Sequence, residues 1–200
     1  MTKLRRSAER PVIPTWGGGP FRILAIDPGG TTGYRYVAHS PNEPTVPTDI
    51  HEFMWEGGQI GPDEHHLELQ NLLIQYRQKA DASPLTIVCE SFEFRQHINK
   101  ESAKTGVNLI SKEYIGIIKL FVETSTNVIV RFQTASAAKQ LVPDKGPLAN
   151  EKLRQLGLYT TANPHQNDAT RHALRHMVIN MKMRNPITNV WLRDDDEDDT

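Results

Sequence analysis

The stretch Ile23-Leu24-Ala25-Ile26-Asp27-Pro28-Gly29-Gly30-Thr31-Thr32-Gly33 decides how this chain is read. Four apolar residues in a row mark a buried strand, and the Pro/Gly turn after them ends it. Asp27 stands at the junction. An ionised carboxylate at the end of a buried strand costs several kcal/mol unless something neutralises it. The bland account is that Asp27 only forms the turn, a position where Asp is common.

Two later segments repeat the pattern. Glu90 closes the apolar run Leu85-Thr86-Ile87-Val88-Cys89, and Asp168 lies in His165-Gln166-Asn167-Asp168 at the start of a helical pattern. Glu90 taken alone could simply end a strand at the surface, and Asp168 could be a helix-start charge favoured by the dipole. Turn formation, however, explains neither Glu90 nor the His-x-x-Asp pair. Strand periodicity puts Ile23, Ala25 and Asp27 on one face and Val88, Glu90 and Phe92 on another, with Glu93 opposite Glu90. His165 and Asp168, three apart, point to one side of a first helical turn. If the two strands lie side by side under that helix, three carboxylates and an imidazole gather at one sheet edge. A divalent cation is the plainest compensation for that much negative charge.

Working outward, the order of elements is βββαβαβ followed by short helices and one long one. The strands are expected at Phe21–Asp27, Gly33–Ala38, Ile50–Trp55, Leu85–Phe92 and Asn127–Gln133. Helices are expected from Asp63 to about Ala80, Ala103 to Glu123, Ala135 to Leu141, Asn150 to Leu156 and Pro164 to Met183. The fold class is α/β: a mixed five-stranded sheet with helices on both faces. The expected boundaries are a flexible basic arm over 1–20, one domain over 21–185 and an acidic disordered tail over 186–200.

The 200 residues are 38% hydrophobic and 24% charged, which suits one globular domain. A single cysteine, Cys89, excludes a disulfide framework within the chain and suits a reducing cytoplasm. No segment reads as a signal peptide or a membrane span, so no membrane partner is expected. The net charge of −1 is uneven, because six acidic residues lie in Asp194–Asp199. Without them, 18 acidic residues oppose 23 basic ones, or roughly +5, which is compatible with a polyanionic partner. The tail reads as a solvated end; a regulatory role would be competition with nucleic acid for the basic surface.

The Ile-Asp-Pro-Gly of strand one, the strand ending in Glu90 and the His-x-x-Asp opening the last helix together resemble the RuvC-type Holliday-junction resolvases. These belong to the RNase H-like nuclease superfamily, and the resemblance spans about Phe21 to Asn180. Bacteriophages carry divergent, compact versions of this family, and the loose arm and acidic tail fit that picture better than a bacterial housekeeping copy; such an enzyme would work in the host cytoplasm. The resemblance implies hydrolysis of a phosphodiester in a four-way junction by a homodimer with two Mg²⁺ per site, about 4 Å apart. It makes Asp27, Glu90, His165 and Asp168 the catalytic and metal-holding set. Asp27 would bridge the ions, Glu90 and Asp168 would each hold one, and His165 would complete the shell or orient water. An imidazole there lets Mn²⁺ substitute for Mg²⁺.

The same resemblance makes Lys139, Lys145 and Lys152 candidate phosphate contacts, with ordinary surface lysines as the alternative. Phe92 and Phe94 are candidates for stacking on an unpaired base, or are core residues. His172 and His176, four apart on the stripe continued from His165, read as structural or supporting groups, with zinc binding the less favoured reading. Arg171 and Arg175 read as facing DNA phosphates or solvent. No small-molecule cofactor is expected.

Three rival readings remain: a nuclease for flaps, forks or other branched DNA; an actin-like ATPase, suggested by Asp-Pro-Gly-Gly-Thr-Thr-Gly; and an inactive junction-binding protein. The ATPase would need a second lobe and a second Gly-rich phosphate loop, and the full ligand set speaks against the inactive protein.

Strand periodicity separates two neighbouring glutamates. Glu90→Gln is expected to abolish metal-dependent activity and Glu93→Gln to spare it; equal losses in a cleavage assay would shift the strand register by one residue.

Overall fold

The computed structural model describes residues 19–41, 47, 49–62, 66–91, 107–146, 149–183 and 187. Its centre is the apolar run of the opening stretch, now strand β1 (Phe21–Asp27). The Pro28–Thr31 turn folds β2 (Thr32–His39) back on it as an antiparallel hairpin that pairs Asp27 with Gly33. Thr32 closes the turn, its Oγ1 accepting from Gly29 N and donating to Gly29 O, both at 3.1 Å. Strand β3 (Met54–Ile60) extends the antiparallel half. On the other side of β1, β4 (Leu85–Glu90) and β5 (Val128–Gln133) run parallel to it. The sheet order is β3-β2-β1-β4-β5, so β1 is central and the carboxyl ends of β1 and β4 lie side by side.

Each face of the sheet is covered, as alternation along the strands dictates. Leu24, Ile26, Ile87 and Cys89 bury against α1 (His66–Lys79) and α2 (Val107–Thr124). Ile23, Ala25 and Val88 face the other layer. It consists of α3 (Ala135–Leu141), α4 (Glu151–Gln155) and α5 (Pro164–Arg175). Residues Ala173, Leu174 and Met177 from α5 and the turn after it fill this second core. Asp27 and Glu90 continue the alternation of Ala25 and Val88, and so open toward α5. No helix among the described residues is long and apolar enough to cross a membrane.

The mixed five-stranded sheet with helices on both faces is the expected architecture, but several boundaries differ. Ile50–Glu52 is a 3-10 turn and not strand: Asp49 accepts from His51 N, and Glu52 accepts in return from Asp49 N. This reciprocal cap holds the chain in a turn until Met54. Gly57 and Gly58, beyond the expected strand end at Trp55, lie inside β3, where a Cβ on either would come within 3 Å of Tyr34 atoms. Their lack of a side chain is what lets the strand lie against its neighbour.

The last helix also ends early. After Arg175 the chain widens into a π-helical turn, His176–Asn180, closed by Met181 N donating to His176 O at 3.0 Å. Asp63, the expected cap of α1, and residues 103–106, the expected start of α2, lie outside the described residues, as do Phe92, Glu93, Phe94, residues 1–18 and nearly all of the tail.

His176 is buried, and its Nδ1 has no partner among the described residues. Burial, the Arg131 cation and the Arg175 cation together push its imidazole down to about 4, against an opposing hydrogen bond with Asn180. The unfolded chain therefore binds this proton more readily than the folded one. The folded state should lose about 3 kcal/mol as pH falls from 6.5 to about 4. Thermal melts of His176→Gln over that range should show a shallower acid decline than the wild type. Parallel declines would mean that the buried ring is not what acid attacks.

Candidate metal centre

Asp27 and Glu90 sit at the adjacent carboxyl ends of β1 and β4, and α5 crosses above them. What brings the helix so close is Gly33. A Cβ at this position would lie 2.0 Å from the His165 carbonyl oxygen and 2.7 Å from Gln166 N. No side chain fits there, so the first turn of α5 rests directly on β2 beside its partner Asp27. Ser111 of α2 donates to the Pro28 carbonyl at 2.9 Å and pins the turn that follows Asp27 from the opposite face.

The ligand atoms of Asp27, Glu90 and His172 all lie within 4.8 Å of one another, close enough to serve one cation. His165, 44% exposed, places Nδ1 3.8 Å from an Asp27 oxygen. His172 is 1% exposed, with Nε2 3.0 Å from Glu90 Oε2 and Nδ1 3.2 Å from Gln133 Oε1. Desolvation raises the Asp27 carboxyl above its ordinary value; the neighbouring Glu90 adds to the rise, and His165 opposes it. Reciprocally, contact with Asp27 raises His165, with burial opposing and Asp168 adding. These shifts express one fact: negative charge is crowded in a poorly solvated place. Two carboxylates and an imidazole are hard and borderline donors that suit Mg²⁺ or Mn²⁺.

Asp168 stands apart from this triad. Its Oδ1 accepts from Arg171 NH1 at 2.7 Å. Arg171 was expected to face phosphate or solvent, yet it is 2% exposed. Its Nε donates to Val142 O at 3.1 Å and its NH2 to Asn150 Oδ1. It therefore ties the segment between α3 and α4 to α5. A buried guanidinium must find acceptors, and these three supply them.

Among the lysines, Lys139 is the one on which carboxylates of the site act electrostatically. Burial lowers it, but the 2.7 Å ion pair with Asp144 and the carboxylates of Asp168 and Glu90 outweigh this and leave it raised. Lys145 is exposed on the loop after α3. Lys152 donates to Leu141 O at 3.2 Å, a structural contact.

By sequence alone His172 reads as a structural or supporting group. The available signal was its spacing: seven residues after His165 is two helical turns, so both rings share a face. That the second ring would reach Glu90 depended on how the helix lies over β4.

Gly33→Ala should therefore act on the site through the helix. The backbone of His165 would have to move, and both melting temperature and Mn²⁺ affinity should fall together, the latter by about tenfold or more. Unchanged affinity by calorimetric titration would show that helix and strand can separate without disturbing the ligands.

No protein-family model matches the chain, and no curated protein matches it. Among solved structures the chain is similar to T. thermophilus RuvC in complex with Holliday junction substrate. The two are 19% identical, with 78% of this chain and 92% of that chain covered and a TM-score of 0.49.

Proposed function

We propose that this protein is a metal-dependent endodeoxyribonuclease acting on branched DNA, with four-way junctions as its substrate. The observation that carries the reading is the convergence of Asp27 and Glu90 with the histidines of α5. Asp27, Glu90 and His165 each come from a segment that the sequence motifs single out. The alternative, a nuclease for flaps or forks, shares this chemistry, and only the branched substrate preferred would distinguish the two.

In this reading Asp27 and Glu90 hold divalent cations, Mg²⁺ or Mn²⁺, at the carboxyl ends of their strands, and Asp168 and His165 complete the site. Bound cations would neutralise the carboxylates, activate water and stabilise the leaving oxygen. The chain's own groups do the rest. His165, held near Asp27 and open to solvent, orients water or the scissile phosphate. Lys139 exchanges Asp144 for a phosphate oxygen when DNA arrives. Lys145 contributes to backbone affinity, and Lys152 supports the end of α3. Phe92 and Phe94 follow Glu90 and are proposed to meet bases at the branch. A homodimer would match the two-fold symmetry of a four-way junction. The compact chain with its basic arm and acidic tail suits a bacteriophage enzyme working in a host cytoplasm.

The test is a cleavage assay on immobile four-way junctions beside flaps and linear duplex, with and without Mg²⁺. Asp27→Asn should reduce cutting by more than about 100-fold, since it removes a ligand and not merely a supporting group. DNA binding should survive, because phosphate contacts come from lysine and arginine. The same variant tests the electrostatics. The folded-state pKa of Asp27 lies above the ordinary 3.8, so its ionised form destabilises the metal-free protein at pH 7. In chelator Asp27→Asn should melt higher at pH 7 by about 2–4 °C per kcal/mol relieved, and the advantage should vanish below the ordinary value. Near-normal cleavage by the folded variant would reduce Asp27 to a turn-former. Equal cutting of junction and duplex would remove the junction reading.

A further inference from the structure

We infer that His172 is a protein ligand of the cation site formed with Asp27 and Glu90, and that Gln133 is the positioning residue that sets its ring. The inference rests on the metal-dependent reading above and adds to it a donor outside the motif residues.

His172 is buried against the sheet, so each ring nitrogen must be satisfied by protein or by a bound ion. Gln133 ends β5 directly beside Glu90 in register. Its Oε1 lies 3.2 Å from His172 Nδ1. With that oxygen toward the ring, Nδ1 carries the proton and donates it. In the neutral ring Nε2 then carries a lone pair, and it points at Glu90 Oε2, 3.0 Å away. Two acceptors at that distance repel unless something positive joins them. The carboxylate of Asp27 is the third atom of the same group, all within 4.8 Å, so a cation held by Asp27 and Glu90 has the imidazole lone pair within its reach. This is the arrangement in which the outer nitrogen's hydrogen bond decides which nitrogen faces a metal.

Turning the Gln133 amide over gives the opposite assignment. Its nitrogen would donate to Nδ1, and Nε2–H would donate to Glu90, making His172 a prop for the carboxylate. Gln133 is buried, and its Nε2 finds no partner where it now points. Among the described residues no other hydrogen bond of the amide favours one orientation, and the charge beside the ring selects it. Convergence of three donors favours the cation. The donor set then includes one borderline nitrogen, which shifts preference from Mg²⁺ toward Mn²⁺ relative to carboxylates alone.

Mn²⁺ and pulsed electron paramagnetic resonance test this directly on the full chain, without any substrate. A directly bound imidazole nitrogen couples strongly to the Mn²⁺ spin. That coupling should persist in His165→Ala and disappear in His172→Ala, with Mn²⁺ affinity lowered more than about tenfold in the latter and about tenfold in Gln133→Leu. If His172→Ala does not fold, coupling retained in folded His165→Ala still supports the assignment. Coupling that is lost in His165→Ala would give the nitrogen to His165 and overturn it. Mn²⁺ bound by the wild type without nitrogen coupling would also overturn it while leaving a carboxylate-held metal site intact. Failure of the wild type to bind Mn²⁺ at all would overturn the metal-dependent reading itself.

Discussion

The contact between Gly33 and the first turn of α5 is the constraint on which the site depends. Strand and helix backbones meet there with no side chain between them, because a Cβ would overlap the His165 carbonyl. Close packing of this kind sets position far more tightly than side-chain contacts, which can shift rotamer to absorb an error. From that fixed point the geometry follows. Asp27 pairs with Gly33 across the hairpin, so the helix start lies over the carboxylate. The helix then runs across β4, which puts His172 over Glu90, two turns further on.

The electrostatics are divided between two zones. In the first, Asp27 and Glu90 face histidines, and no full cation from the described residues pairs with them. This is the arrangement expected where a mobile ion is to be bound, since a resident arginine would occupy the same space. In the second, Arg171 takes Asp168, Asn150 and the Val142 carbonyl, while Lys139 takes Asp144. The buried Arg171 network costs desolvation that its hydrogen bonds offset, and what it secures is placement of the segment between α3 and α4 against α5. Lys139 is different. Its side chain is 36% exposed, so its ion pair contributes little stability and can be exchanged readily.

Asp168 lies where the two zones meet. It belongs to the same motif as His165 and acts electrostatically on both that ring and Lys139. Its carboxylate is engaged by Arg171, and the proposed role at a metal therefore requires either sharing that oxygen or using the other one. A carboxylate has lone pairs enough for both.

The alternation of apolar residues in Phe21–Asp27 and Leu85–Glu90 determined the strands, their inward faces and the face on which each carboxylate stands. Period two is a local property, fixed by backbone geometry wherever a strand forms. The amphipathic repeat of α2 was local in the same sense. The β3 boundary was misread because its glycines signal a break when seen alone, and only the neighbouring Tyr34 and Arg35 explain their place in a strand. The choice between His172 and Asp168 as the group beside Glu90 was decided by the crossing of α5 over the sheet. Arg171 took Asp168 because Val142 and Asn150, distant in sequence, complete its hydrogen bonds. Sequence determines which face of an element a residue occupies; which partner meets it there depends on distances between elements, and those arise only when the layers pack.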